Sequence, residues 1–221
     1  MKRIGIMGGT FNPIHNGHLA VAQAAREQFT LEKVLFMPSG VPYMKNLQEV
    51  LPASVRCEMT ALAISGIPYF EVSDMETVTE GNTYTCQTLT ALKSLHPDTD
   101  YYFILGADSL YAIEKWRNPE QIFRNCTILA AVRAYTTENS NGQNAGSQTG
   151  NAVDIRAQRR LQDQIRYLRE NYQASIEMLK FSAMDISSTR IRDMLQRGAS
   201  VDGLVPKEVA DYIAENHLFR Q

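Results

Sequence analysis

Residues 8–19 read Gly-Gly-Thr-Phe-Asn-Pro-Ile-His-Asn-Gly-His-Leu and join a glycine turn to two histidines three positions apart. The run follows an apolar stretch, Arg3 to Met7, that fits a buried first strand, and it opens a segment of helical spacing. Glycine at positions 8 and 9 keeps Cβ atoms away from the turn, so the backbone amides can approach a phosphate. His15 and His18 then fall on one side of the first helical turn, where their N–H groups and the helix dipole both favour an anion. The chemistry implied is nucleotide binding. Half a metal site is one rival reading, but no cysteine or acidic cluster at zinc-like spacing lies nearby. A pair of ordinary capping or core histidines is another. Hydride transfer on a dinucleotide loses its main support, because Gly8, Gly9 and Gly17 do not match the spacing G-x-G-x-x-G.

A second cluster is Ile186-Ser187-Ser188-Thr189-Arg190-Ile191-Arg192. It offers three hydroxyls, a helix opening with free amides, and fixed positive charge for the β- and γ-phosphates of a triphosphate. An N-cap accounts for one of the hydroxyls equally well. Arg190 and Arg192 are two apart and cannot share a helical face, so at least one is expected to be structural or on the surface. Gly106-Ala107-Asp108 ends an apolar run, and Asp108 either accepts from a ribose hydroxyl or caps the next helix. Trp116, the single tryptophan, belongs either to the core or against a flat ring in a pocket.

The elements that must bring these residues together are legible as alternating patterns. Ile4 to Met7, Val34 to Met37, Tyr69 to Val72, Tyr102 to Leu105, Ile128 to Val132 and Ile176 to Leu179 read as strands. Between them, Leu19, Ala22, Ala25 and Phe29 repeat at helical spacing, as do Val55, Met59, Leu62 and Ala63, and a further helix is expected from about Tyr84 to Leu95. The order implies a Rossmann-like, doubly wound, mostly parallel sheet with helices on both faces. Ligands of such a sheet bind beyond the carboxyl ends of the strands. There stand, strand by strand, GGTFNPIHNGH, PSGVPYMK, SDMETVTEGNTYT, GADSL, Arg133 and DISSTRIR.

The chain of 221 residues is expected to form one domain, with a polar mobile loop at about 135–151 and a C-terminal helical segment from about 188. That segment holds a helix from Thr189 to Gln196 capped near Gly198, and another opened by Pro206. Arg156, Arg159, Arg160, Arg166 and Arg169 accompany Leu161, Ile165 and Leu168 and read as a solvated helix face. A net charge of −2 gives no global attraction to nucleic acid or to an anionic membrane, and neither is an expected partner. Cys57, Cys86 and Cys126 are odd in number and scattered, which speaks against a disulfide scaffold. With no run of membrane-spanning length, a cytoplasmic protein is the expectation, and a homo-oligomer stays open.

The two motifs H-x-G-H and I-S-S-T-x-I-R, in this order and at opposite ends of the chain, resemble those of the H-x-G-H nucleotidyltransferase superfamily. Thr83-Tyr84-Thr85, Gly106-Ala107-Asp108-Ser109 and Trp116 resemble, within it, the nicotinate-nucleotide adenylyltransferases. The resemblance implies attack by a phosphate oxygen of nicotinate mononucleotide on the α-phosphorus of ATP, giving deamido-NAD and pyrophosphate in NAD biosynthesis. Mg²⁺ would be held through the ATP phosphates with no protein metal site. By the same resemblance His15, His18, Lys45 and Arg192 are the catalytic set. ATP would be bound by Gly8, Gly9, Thr10, Phe11, His15, His18, Gly106, Asp108, Ile186, Ser187, Ser188, Thr189 and Arg192. Nicotinate mononucleotide would meet Asn12, Lys45, Thr83, Tyr84, Thr85, Asp108, Trp116, Arg117 and Arg133.

The chain departs from that family's pattern in three places. Asn12 stands for an aspartate, Met44 for a histidine, and Arg133-Ala134-Tyr135 for Arg-Pro-Gly. Asn12 retains hydrogen-bonding capacity, Met44 removes a phosphate donor, and the missing Pro-Gly is expected to loosen the loop after Arg133 in the empty protein. Rival functions are a sister transferase acting on phosphopantetheine, FMN or glycerol phosphate, and a nucleotide-sensing module without turnover. A nucleic-acid role for residues 156–169 has only Tyr167 as an interleaved aromatic.

Overall fold

Six apolar runs alternate with helical segments, and in a computed structural model the runs pair into one parallel sheet of order β3-β2-β1-β4-β5-β6. The structure describes residues 1–42, 47–79, 81–134, 148–182 and 184–219. The strands are β1 (Lys2–Gly9), β2 (Lys33–Pro38), β3 (Phe70–Val72), β4 (Thr99–Gly106), β5 (Thr127–Ala134) and β6 (Ile176–Ser182). Most outrun the apolar stretches that announce them, because ladder pairing continues past the last buried side chain. Gly8 pairs with Met37 and Gly9 with Pro38, which carries β1 up to the rim of the sheet.

The helices are α1 (Asn16–Phe29), α2 (Ala53–Ile64), α3 (Thr85–Leu95), α4 (Ala107–Ala112), α5 (Pro119–Asn125), α6 (Gln148–Tyr172), α7 (Ser188–Gln196) and α8 (Lys207–Glu215). Alternate strand residues feed two cores, as a pleated ribbon requires. Ile4, Ile6, Phe103, Ile128 and Ile176 pack with Leu89 of α3, Ile122 of α5 and Leu168 of α6. Met7, Ile104, Leu129 and Leu179 pack with Ala22 of α1, Met59 of α2, Ile191 of α7 and Val209 of α8. Burial on both faces is what an all-parallel sheet demands.

Two boundaries differ from the sequence expectation. Helix α6 starts at Gln148, inside the stretch read as loop to residue 151, because each added helical residue gains a hydrogen bond once the turn around Leu161 exists. The rest of that loop, 135–147, lies outside the described residues. Pro206 is the N-cap of α8 rather than its first residue. Gly198, one position beyond the C-cap Arg197 of α7, takes a φ of +69°, which glycine adopts without the Cβ penalty.

β1 is flanked by β2 on one side and β4 on the other, so crossovers leave it in opposite directions and a crevice opens where they part. The carboxyl ends of β1 and β4, Gly9 and Gly106, mark its floor.

Candidate active site

The first loop and the distant C-terminal motif are bonded to each other. Ser188 Oγ donates to the Pro13 carbonyl at 2.9 Å, and Arg192 Nη1 donates to the Asn12 carbonyl at 3.1 Å. Ser187 is spent as the N-cap of α7, its oxygen accepting from the Arg190 N–H at 3.2 Å. Arg190 turns the other way and donates to both the carbonyl and the carboxylate of Asp185 at 2.8 Å. The two arginines thus divide as their spacing requires, with Arg192 reaching back to the first loop, though lining neither cavity described below, and Arg190 holding the entry to the helix. Thr189 Oγ1 lies 3.5 Å from Arg192 Nη2.

His15 and His18 stack with centroids 3.7 Å apart. His18 Nδ1 accepts from the His15 backbone N–H at 3.2 Å, which leaves Nε2 as the nitrogen carrying hydrogen. Burial pushes the His15 imidazole down to about 4, so it is neutral near pH 7, and its Nδ1 is buried without a hydrogen-bond partner. Gly17 permits this arrangement, since a Cβ there would stand 3.1 Å from His15 Nδ1. Gly9 makes room for a ring rather than for a ligand: its Cβ would come within 2.9 Å of Phe11. Phe11, held at φ +49° and buried, sets its ring edge-on to His18 at 5.1 Å and buttresses it. It lies on neither cavity wall described next.

Two cavities adjoin at the rim. The first, about 240 Å³, is lined by Gly9, Thr10, Ser39, Glu76, Thr83 to Thr85 and Arg117 among others. The second, about 300 Å³, is lined by His15, Gly17, His18, Gly106, Phe181 and Ile186 among others. Gly8, Phe103, Ser109 and Trp116 line both. Trp116 therefore stands at the seam, half-buried and 6.3 Å from Phe103 in an edge-to-face contact, so it is core and wall at once. Thr10, read as an ATP contact, lines the first cavity instead. Asp108 is exposed in the first turn of α4, lines neither cavity, and is not that helix's cap, a position held by Gly106.

Asn12 needs a correction. Its Nδ2 donates to the Glu49 carbonyl at 2.8 Å and its Oδ1 accepts from the Leu51 N–H at 3.2 Å, so its hydrogen-bonding capacity goes to the loop before α2. Lys45 and Met44 lie outside the described residues, and Arg133 sits in β5 with its side chain outside them. The loosened loop expected after Arg133 also lies there.

Two residues that sequence reasoning passed over shape the first cavity. Glu76 is hydrogen-bonded by Thr88 Oγ1 at 2.8 Å and Thr83 Oγ1 at 3.2 Å, and burial raises its carboxyl above the usual range against those bonds. Gly40 packs on the same segment so closely that a Cβ would stand 2.3 Å from the Glu76 carbonyl oxygen. Arg56 is buried at 1% exposure and donates to four backbone carbonyls around the cavity. A signal for Arg56 existed: Arg56, Met59, Thr60, Ala63 and Ile64 form the buried stripe of α2, with the arginine at its head.

Residues 6–194 match the cytidylyltransferase-like family model. A protein of Lachnoclostridium phytofermentans, named "probable nicotinate-nucleotide adenylyltransferase", is 40% identical over 99% of this chain and all of its own length. One of the same name from Dehalococcoides mccartyi is 39% identical over 99% of this chain and 98% of its own. Among solved structures, the nicotinic acid mononucleotide adenylyltransferase of Plasmodium falciparum complexed with NaAD superposes with a TM-score of 0.73 at 18% identity, covering 99% of this chain and 98% of its own.

Proposed function

The chain belongs to the cytidylyltransferase-like family and, within it, to the nicotinate-nucleotide adenylyltransferases, and from that premise we propose that it transfers the adenylyl group of ATP to nicotinate mononucleotide. The products are deamido-NAD and pyrophosphate, and the step belongs to NAD biosynthesis. The observation that carries this reading is the pair of cavities sharing Gly8, Phe103, Ser109 and Trp116, one beside the histidines and the other beside the Thr83–Thr85 segment. A reaction that joins two nucleotides needs two such half-sites meeting at the reacting phosphates.

A phosphate oxygen of the mononucleotide attacks the α-phosphorus of ATP, a new P–O bond forms there, and the bond to the β-phosphate breaks with its electron pair leaving on pyrophosphate. No covalent enzyme intermediate is required. We assign His18 Nε2–H and the His15 imidazole, both lining the second cavity, to the charge that develops on the transferring group, together with Arg192 and the amides of α7. We assign Lys45 to the same task. Mg²⁺ would be held through the ATP phosphates, where it would neutralise charge. Thr83 to Thr85 and Trp116–Arg117 form the end of the first cavity suited to a flat ring, with the Arg117 guanidinium 4.6 Å from the Tyr84 ring centroid. No helix among the described residues is long and apolar enough to cross a membrane, and three free thiols accord with a cytoplasmic setting.

Pyrophosphate release with ATP and a series of acceptors tests the proposal. Nicotinate mononucleotide is expected to support the fastest release, ahead of nicotinamide mononucleotide and far ahead of FMN, phosphopantetheine and glycerol phosphate. Faster release with one of the last three would assign a sister reaction, and no release with any would leave a nucleotide-binding module.

A further inference from the structure

Arg56 is the one arginine or lysine buried among the described residues, at 1% exposure. Its Nε donates to the Leu51 carbonyl at 2.9 Å, its Nη1 to Thr10 at 2.7 Å, and its Nη2 to Ser39 at 2.6 Å and Gly40 at 2.7 Å. Those carbonyls come from three separate segments: the loop after β1, the loop after β2, and the chain entering α2. A planar fork with fixed N–H directions can hold three backbones in one relative placement, which an ammonium on a flexible stem cannot. No carboxylate forms an ion pair with it among the described residues. Four carbonyl dipoles solvate the guanidinium, but its full positive charge stays inside the protein, a costly arrangement when nothing neutralises it.

The location gives that charge a purpose. Thr10 and Ser39, whose carbonyls the guanidinium grips, both line the first cavity. Ser39 Oγ is buried in the same wall with no hydrogen-bond partner among the described residues. The cavity wall thus holds a buried, unused polar atom, with a cation behind it.

We propose that Arg56 is a positioning residue for the acceptor nucleotide: it clamps the loops after β1 and β2, holds Ser39 in the cavity wall, and sets an unneutralised positive charge behind the place where the acceptor's phosphate lies. This rests on the reading of the first cavity as the mononucleotide half-site. The ATP half-site, lined by His15, His18, Gly106 and Ile186, shares none of the four gripped carbonyls. Arg56 therefore acts on one substrate and not on the other.

Two variants separate clamp from charge. Arg56→Lys keeps the charge and loses the fork; Arg56→Met keeps the length and loses both. With Arg56→Lys, KM for nicotinate mononucleotide is expected to rise about tenfold while KM for ATP stays within about twofold. Arg56→Met should raise the mononucleotide KM about a further tenfold, and if it does not fold, the lysine variant alone decides. Amide hydrogen exchange in the empty proteins supplies a readout without substrate: residues 9–12 and 38–42 should exchange faster in Arg56→Lys, with the rest of the sheet unchanged. A merely structural arginine would lower the thermal midpoint and the active fraction and leave both KM values alone; that result, or equal rises for the two substrates, overturns the proposal. Wild-type protein that releases no pyrophosphate would sink the assigned reaction, and faster exchange in Arg56→Lys would still support the clamp.

Discussion

The two halves of the crevice are built by opposite means. The half beside α1 and α7 is made of helix openings whose chemistry is written in short contiguous motifs, and its main tie is Ser188 and Arg192 bonding to the carbonyls of Pro13 and Asn12. The half beside α3 is made of loops after β1, β2 and β3, and its ties are Arg56 at the centre, Glu76 with Thr83 and Thr88, and a parallel bridge between Val41 and Asn82. Helix ends supply a binding field from the backbone itself, so a few residues suffice. Loops supply none until something fixes them, and the fixing groups come from far away in sequence.

The largest expected effect breaks the first half alone. His18→Ala removes a donor aimed at developing charge, and turnover should fall about 10²-fold with the fold intact by circular dichroism; near-normal turnover would take His18 out of the catalytic set. The second half has a sharper lever in Gly40, where a Cβ would meet the Glu76 backbone at 2.3 Å. Because a backbone atom cannot swing aside, Gly40→Ala should cost about 1–3 kcal/mol in urea unfolding and raise the mononucleotide KM more than the ATP KM. Equal effects on the two substrates would erase the distinction between the halves.

A smaller effect concerns pH. His15 titrates near 6.5 in the unfolded chain and at about 4 when folded, so between those values the unfolded state binds the extra proton. Stability from this residue is complete above about pH 6.5 and is lost as pH falls toward 4. Between pH 7 and pH 5 the loss should be about 1–2 kcal/mol and absent in His15→Gln, read as the difference between the two urea midpoints. Identical pH slopes for the two proteins would show that His15 is not the buried neutral group described. The smallest effect is at Arg190, whose ion pair with Asp185 is largely exposed. Arg190→Ala should leave turnover within about twofold, in contrast to Arg192→Ala, which loses the tie between α7 and the Asn12 carbonyl.

The contrast also explains what could be read from the chain in advance. Six apolar runs and their intervening helical repeats are sufficient for a parallel sheet covered on both faces, while the order of its strands comes from the structure. The histidines and the serine-rich turn carry their meaning locally, and the bonds from Ser188 and Arg192 to the loop before the histidines follow from the sheet's topology. Asn12 misled because a polar residue beside a phosphate-type loop invites a ligand role, whereas its amide is spent on Glu49 and Leu51, nearly forty positions on. Arg56 and Glu76 left no pattern to detect: the first donates to carbonyls of separate loops, and the second accepts from the Thr83 and Thr88 hydroxyls across a chain reversal. Only the place of Arg56 at the head of a buried stripe in α2 hinted at it.

Determining the structure with deamido-NAD bound tests the central claim most directly. The account places the adenosine in the cavity of His15, His18, Gly106 and Ile186, the nicotinate ring against Thr83 to Thr85 and Trp116, and the linking phosphates across Gly8 at the seam. A dinucleotide confined to one cavity, or bound with its two ends exchanged, would contradict it.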